Sequence, residues 1–174
     1  LDKDTSGILL IAKSSQALIF FQKQFKNREV DKKYTALATG VMKDDESVIH
    51  TLIARSPADP RKQKAHPLTD NSLTVKREAV TLYKVIERFK QYTLLEVQIK
   101  TGRKHQIRCH LSYIHHPIAG DALYGFKDSP VPKNLQRQFL HASYVKITLL
   151  NGEAKAFTSD LPEDLKETIN QLEK

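Results

Sequence analysis

The sequence predicts an α+β fold, a mixed and mostly antiparallel sheet with flanking helices. Two pairs of strand-like runs joined by short turns, 79–89 with 92–99 and 139–149 with 154–157, read as antiparallel hairpins. Three other stretches carry helical periodicity, and no internal repeat or low-complexity segment interrupts the pattern.

Taken in order, residues 7–13 (GILLIAK) form a short apolar run expected as a buried strand. Ser14 or Ser15 can then cap a helix running to about Arg28, with Ala17, Leu18, Phe21 and Phe25 on one face. Residues 32–39 (KKYTALAT) read as a strand that stops at Gly40, and 47–54 as another. Residues 55–71 hold Pro57, Pro60 and Pro67 and a basic cluster, so a loop is expected. The hairpin 79–89/92–99 ends at Thr101-Gly102, and 104–115 has a helical pattern with Ile107, Leu111 and Ile114 on one face. His116-Pro117 stops it, because proline pushes the preceding residue out of the α region. Residues 120–134 read as loop, 139–149 and 154–157 as strands around an Asn151-Gly152 turn, and 161–172 as a closing amphipathic helix with Pro162 near its first turn.

The composition is basic, 28 Lys and Arg against 20 Asp and Glu for a net charge of +8, which favours a polyanionic partner. No apolar run approaches the roughly 20 residues a membrane-spanning helix needs, so no membrane partner is expected. The lone Cys109 cannot form an internal disulfide, which makes a reducing cytoplasm the expected compartment. The histidines and this one cysteine make no recognisable zinc pattern, and no metal site is expected.

Four stretches could carry chemistry. Leu1-Asp2-Lys3-Asp4-Thr5-Ser6-Gly7 precedes an apolar run. Its side chains either satisfy turn backbone or hold a carboxylate in a cleft at a strand end. Thr101-Gly102-Arg103-Lys104-His105-Gln106-Ile107-Arg108 gathers four potential cations near a helix start. Helix N-termini attract phosphates, but cations there oppose the macrodipole and call for an anion. Lys32-Lys33-Tyr34 opens a strand with an aromatic that is either core or a base-stacking surface. Arg61-Lys62-Gln63-Lys64 is either a solvated loop or an RNA contact.

LDKDTSGILLIAK, KKYTALATG, TGRKHQIRCHL, HPIAGDALYG and FLHA occur in this order along the chain. In this order and spacing the chain resembles the RluA-type RNA pseudouridine synthases over essentially its whole length. The resemblance implies the pseudouridine synthase catalytic fold over 1–174, truncated at its N-terminus, since the family carries roughly another strand pair upstream and, in many members, an S4-like RNA-binding domain. It implies Asp2 as the catalytic carboxylate, Tyr34 as the base-stacking tyrosine and Arg108 as the arginine paired with Asp2. Arg103 and His105 match adjacent motif positions; with Lys33, Arg61, Lys62, Lys64 and Lys104 they are expected to contact RNA. Asp4 reads as a turn residue.

The implied reaction converts uridine to pseudouridine within RNA: the N1–C1′ bond breaks, the uracil turns, and C5 bonds to C1′. It needs no cofactor or metal. Ribosomal RNA of the large subunit is the expected partner, transfer RNA the alternative, and a monomer the expected form. A different class of protein, a non-catalytic RNA-binding or ribosome-assembly module retaining the fold, would have no need of Asp2. A hydrolase using Asp2 with Asp4 is weaker, since these near neighbours are not set across a bond.

Overall fold

The computed structural model describes residues 1–174 as eight strands and three helices. The elements are β1 (Ser6–Gly7), α1 (Ser15–Lys26), β2 (Asp31–Thr39), β3 (Glu46–Arg55), β4 (Gln63–His66), β5 (Arg77–Arg88), β6 (Tyr92–Ile99), α2 (Gln106–Tyr113), β7 (Leu140–Thr148), β8 (Ala154–Thr158) and α3 (Glu163–Asn170). One sheet runs in the order β1-β7-β2-β6-β5-β3-β4, with β8 also on β7. All pairings are antiparallel except that of β1 with β7, so the expected α+β class holds. No helix is long and apolar enough to cross a membrane.

The main core lies where β2, β6 and β7 meet α2 and α3. Leu37, Leu95, Leu111, Phe139 and Leu165 have essentially no exposed surface there. Ser14 caps α1 by accepting a hydrogen bond from the Ala17 amide at 3.1 Å. The expected apolar face of α1 is only partly used: Ala17 is buried and Phe21 is packed, while Leu18 and Phe25 stay exposed. A buried glutamine replaces them. The Gln24 side chain donates to the Thr148 carbonyl and accepts from its amide, both at 2.9 Å, so the helix docks through the end of β7.

The strand expected over 7–13 shrinks to the two residues of β1. Gly7 sits at φ +113°, where a Cβ would collide with the Ala142 carbonyl, and the chain leaves the ladder after the Ile8 amide bonds that carbonyl. From Tyr144 onward that edge of β7 belongs to β8, so the following residues have no strand to pair with. Ile8 and Leu10 pack inward, while Leu9 and Ile11 remain exposed. The region expected as loop at 55–71 contains β4, which pairs Gln63–His66 with Leu52–Arg55. Its QKAH sequence has no apolar signature because only Ala65 faces the core, beside Cys109 and Tyr124.

Helix α2 is shorter than its periodic pattern. His105 takes a left-handed conformation at φ +54° and supplies no side-chain cap; instead the Gln106 side-chain Oε1 accepts from the Arg103 amide at 3.0 Å and the Thr101 hydroxyl at 2.7 Å. At the other end the His116 amide bonds the Leu111 carbonyl around a left-handed His115, and Pro117 follows, as expected from the sequence.

Beneath α2, the fully buried His110 sits between two threonine hydroxyls, Nδ1 at 2.8 Å from Thr81 and Nε2 at 2.9 Å from Thr51. Burial pushes its imidazole down to about 4, and His50 adds to the effect. The unfolded chain therefore binds a proton below about pH 6.5 that the fold does not accept until about pH 4. Stability contributed by neutral His110 is complete above that upper value and is lost as pH falls through the window, by up to about 3 kcal/mol. Urea unfolding at pH 7.5 and pH 5 should show this loss, and His110→Gln should shrink it; an unchanged difference in the variant would refute the assignment.

Candidate active site

Asp2 stands in a turn closed by the Thr5 amide on its carbonyl at 3.1 Å, with Asp4 left-handed at φ +66°. The residues just before β7 strap this turn in place. Gln138 donates to the Lys3 carbonyl at 2.6 Å and Arg137 to the Asp4 carbonyl at 3.1 Å. Asp4 thus serves the turn, as expected. Tyr34 stands on β2 at the point where its register with β7 shifts. Arg108 sits in the first turn of α2. Asp2 and Tyr34 line one cleft of about 330 Å³, together with Arg103, Lys104, His105 and Ile107.

Arg108 comes to Asp2 from 106 positions away, its Nη1 3.4 Å from Oδ2. That places the two charged groups within ion-pair distance. Arg108 also meets a second carboxylate: its Nε and Nη2 donate to Asp121 Oδ2 and Oδ1 at 2.7 and 2.8 Å. Burial alone would pull the guanidinium down, but Asp121 and Asp2 outweigh it and hold it above its ordinary value. Burial likewise pushes the Asp121 carboxyl up, and Arg108 with the Tyr124 and Leu123 amides more than offsets this. The two carboxylates are not equivalent. The Asp121 side chain has no exposed surface and four hydrogen bonds, whereas Asp2 is 24% exposed and opens on the cleft. Of the two, only Asp2 is accessible from the cleft.

Burial, then the Asp2 charge, raises the Tyr34 phenol, which therefore stays protonated at neutral pH. Burial lowers His105 and outweighs the opposing Asp2 charge, so its ring is neutral. His105 Nδ1 lies 3.0 Å from the Tyr124 hydroxyl, which accepts from the Gln63 amide at 2.6 Å. The site thus offers a carboxylate beside a guanidinium, an aromatic face and a basic rim. No group of three or more His, Cys, Asp or Glu is placed to hold a metal.

The basic residues read from the sequence divide into two groups. Arg103, Lys104 and His105 line the cleft, and Arg103 is held by donating to the Glu78 carbonyl at 2.9 Å. Lys33 does not: it lies on the other face of β2, paired with Glu96 at 2.9 Å. Lys32 lines the cleft in its place, because residues two apart on a strand share a face and Lys32 therefore sides with Tyr34. Arg61 is bound to Asp59 at the exposed tip between β3 and β4, Lys62 lies 6.0 Å from the Tyr124 ring centre, and Lys64 is exposed on β4. None of these three lines the cleft.

Sequence reasoning missed Lys32, Asp121 and Tyr124. The period-2 rule could have found the first; the other two lie in the quoted HPIAGDALYG stretch, but their partners are in other elements.

The family described as RNA pseudouridylate synthase matches residues 1–113. The uncharacterized RNA pseudouridine synthase YlyB of Bacillus subtilis is 39% identical over 100% of this chain and 54% of its own length. Ribosomal large subunit pseudouridine synthase D of Haemophilus ducreyi is 34% identical over 99% of this chain and 54% of its own. The chain thus spans about half the length of these relatives. Among solved structures, human RNA pseudouridylate synthase domain containing 1 superposes with a TM-score of 0.82 at 27% identity, over 97% of this chain and 70% of that one.

Proposed function

The chain belongs to the RNA pseudouridylate synthase family, and on that premise we propose that its cleft isomerises uridine to pseudouridine within an RNA chain. The observation that carries the reading is the meeting of Asp2, half-open to the cleft, with Arg108 across 106 positions, while Tyr34 lines the same cavity.

The reaction breaks N1–C1′, forms C5–C1′, releases the C5 proton and returns one proton to N1, so atoms and electrons balance. Asp2 is the reacting carboxylate, with the Arg108 guanidinium beside it. Flipping a paired uridine out costs a few kcal/mol. Stacking on Tyr34 offsets roughly 1–3 kcal/mol of it. Lys32, Arg103 and Lys104 hold flanking phosphates at the rim, and His105, being neutral, serves as a polar contact.

The proposed substrate is large-subunit ribosomal RNA in the cytoplasm. Its support is the name of a relative, ribosomal large subunit pseudouridine synthase D, and the basic balance of the chain. Pseudouridine mapping of total RNA with and without the full-length gene tests this. Loss of a ribosomal site supports it, loss only of a transfer RNA site redirects it, and no loss overturns it.

Binding offers a second check. Affinity should fall linearly with salt on logarithmic axes. Lys32→Ala or Lys104→Ala should flatten the slope by about one and weaken all RNAs similarly. Lys33→Ala, on the other face, should leave the slope unchanged. Titrations at several salt concentrations that reverse this order would place the RNA elsewhere.

A further inference from the structure

Arg108 makes only one contact with Asp2, at 3.4 Å, longer than a charge-assisted bond needs to fix a flexible side chain. Everything else that holds it lies outside the cleft. Asp121 takes the Nε–Nη2 edge with two short bonds, the bidentate geometry that sets a guanidinium's plane. Asp121 is itself immobilised, its Oδ1 accepting from the Leu123 and Tyr124 amides, each at 2.9 Å. The loop carrying it cannot slide: Gly120 is left-handed at φ +73°, with no room for a Cβ beside the Arg137 carbonyl, and the Gly125 amide bonds the Asp121 carbonyl at 2.8 Å. The Tyr124 ring lies 5.1 Å from the guanidinium carbon. Nη1 is the nitrogen these contacts leave for Asp2.

We propose that Asp121 is a positioning residue that, with Tyr124 beside the guanidinium, fixes Arg108 so that Nη1 is presented to Asp2. The inference rests on the proposed synthase reading and assigns a task to residues outside the reacting trio. It also makes one device of two stretches 13 positions apart, Arg108 of the α2 segment and the Gly120–Gly125 loop. Asp121 never meets the substrate and acts through Arg108.

The test uses the full-length protein, with Asp121→Asn, Arg108→Met and the double variant. It reads single-turnover pseudouridine formation, RNA affinity and thermal midpoint. Asp121→Asn should slow turnover by about 100-fold, the scale of an ångström of misplacement, with RNA affinity unchanged. In the Arg108→Met background it should cause no further loss, whereas a merely structural role would give additive losses. Full activity in Asp121→Asn, or additivity, overturns the proposal. If the single variant does not fold, the comparison of the double variant with Arg108→Met still decides, because both buried charges are then removed together. A wild-type protein that makes no pseudouridine would instead sink the synthase reading. The positioning claim is then read from the Arg108 Nε–H signal in nitrogen-15 NMR: slow exchange lost in Asp121→Asn supports it, slow exchange retained overturns it.

Discussion

Asp2→Asn in the full-length protein should abolish pseudouridine formation while RNA binding persists. The asparagine keeps the shape of the side chain, so the turn strapped by Gln138 and Arg137 is undisturbed. What it loses is the negative charge beside Arg108. A neutral amide cannot act as nucleophile at the sugar or base, nor as a base at the sugar. The rate should therefore fall by roughly 10⁴-fold or more, the scale seen when a reacting group is removed. Stability should change by no more than about 1 kcal/mol, since the pair is long and partly exposed. A tritium-release assay showing near-normal turnover would remove Asp2 from the chemistry.

The second large effect belongs to Tyr34. Replacing it with alanine removes a ring from the cleft wall but no charge, so phosphate contacts and the salt dependence of binding should barely move. Turnover should drop by up to about 150-fold if stacking supplies as much as 3 kcal/mol toward the flipped base. Because the ring also packs on the core cluster, Tyr34→Phe is the control: it preserves packing and the stacking face. Turnover restored by phenylalanine but not alanine assigns the effect to the ring. If alanine leaves turnover intact, Tyr34 is a core aromatic and the reacting set shrinks to Asp2 and Arg108. This signature is opposite to that of Lys104→Ala, which alters the salt slope and weakens all RNAs alike.

The elements legible in the sequence were those whose signals are local. Ser14 capping α1, the Asn151-Gly152 turn with Gly152 at φ +83°, and Pro117 behind α2 each act within a few residues of chain. The sequence also singled out Asp2, Tyr34 and Arg108, because each sits in a short stretch whose order and spacing resemble one family; the fold brings Asp2 to Arg108 and sets Tyr34 in the same cleft as Asp2. The alternation of β2 even held the information that Lys32, not Lys33, shares the face of Tyr34.

Tertiary structure alone decided the rest. An apolar run such as 7–13 can state that it is able to pair, but not whether an edge is free; β8 occupies that edge of β7, so the strand ends at Gly7. β4 has no apolar pattern and exists because β3 offers it backbone partners. The two carboxylates around Arg108 look alike as residues. Burial and four hydrogen bonds seal Asp121 away, and the open cleft leaves Asp2 accessible. The physical reason is common to all three cases. Side-chain periodicity and turn chemistry are properties of neighbouring residues, whereas edge occupancy, desolvation and ion pairing depend on which distant segments the completed fold brings within a few ångströms.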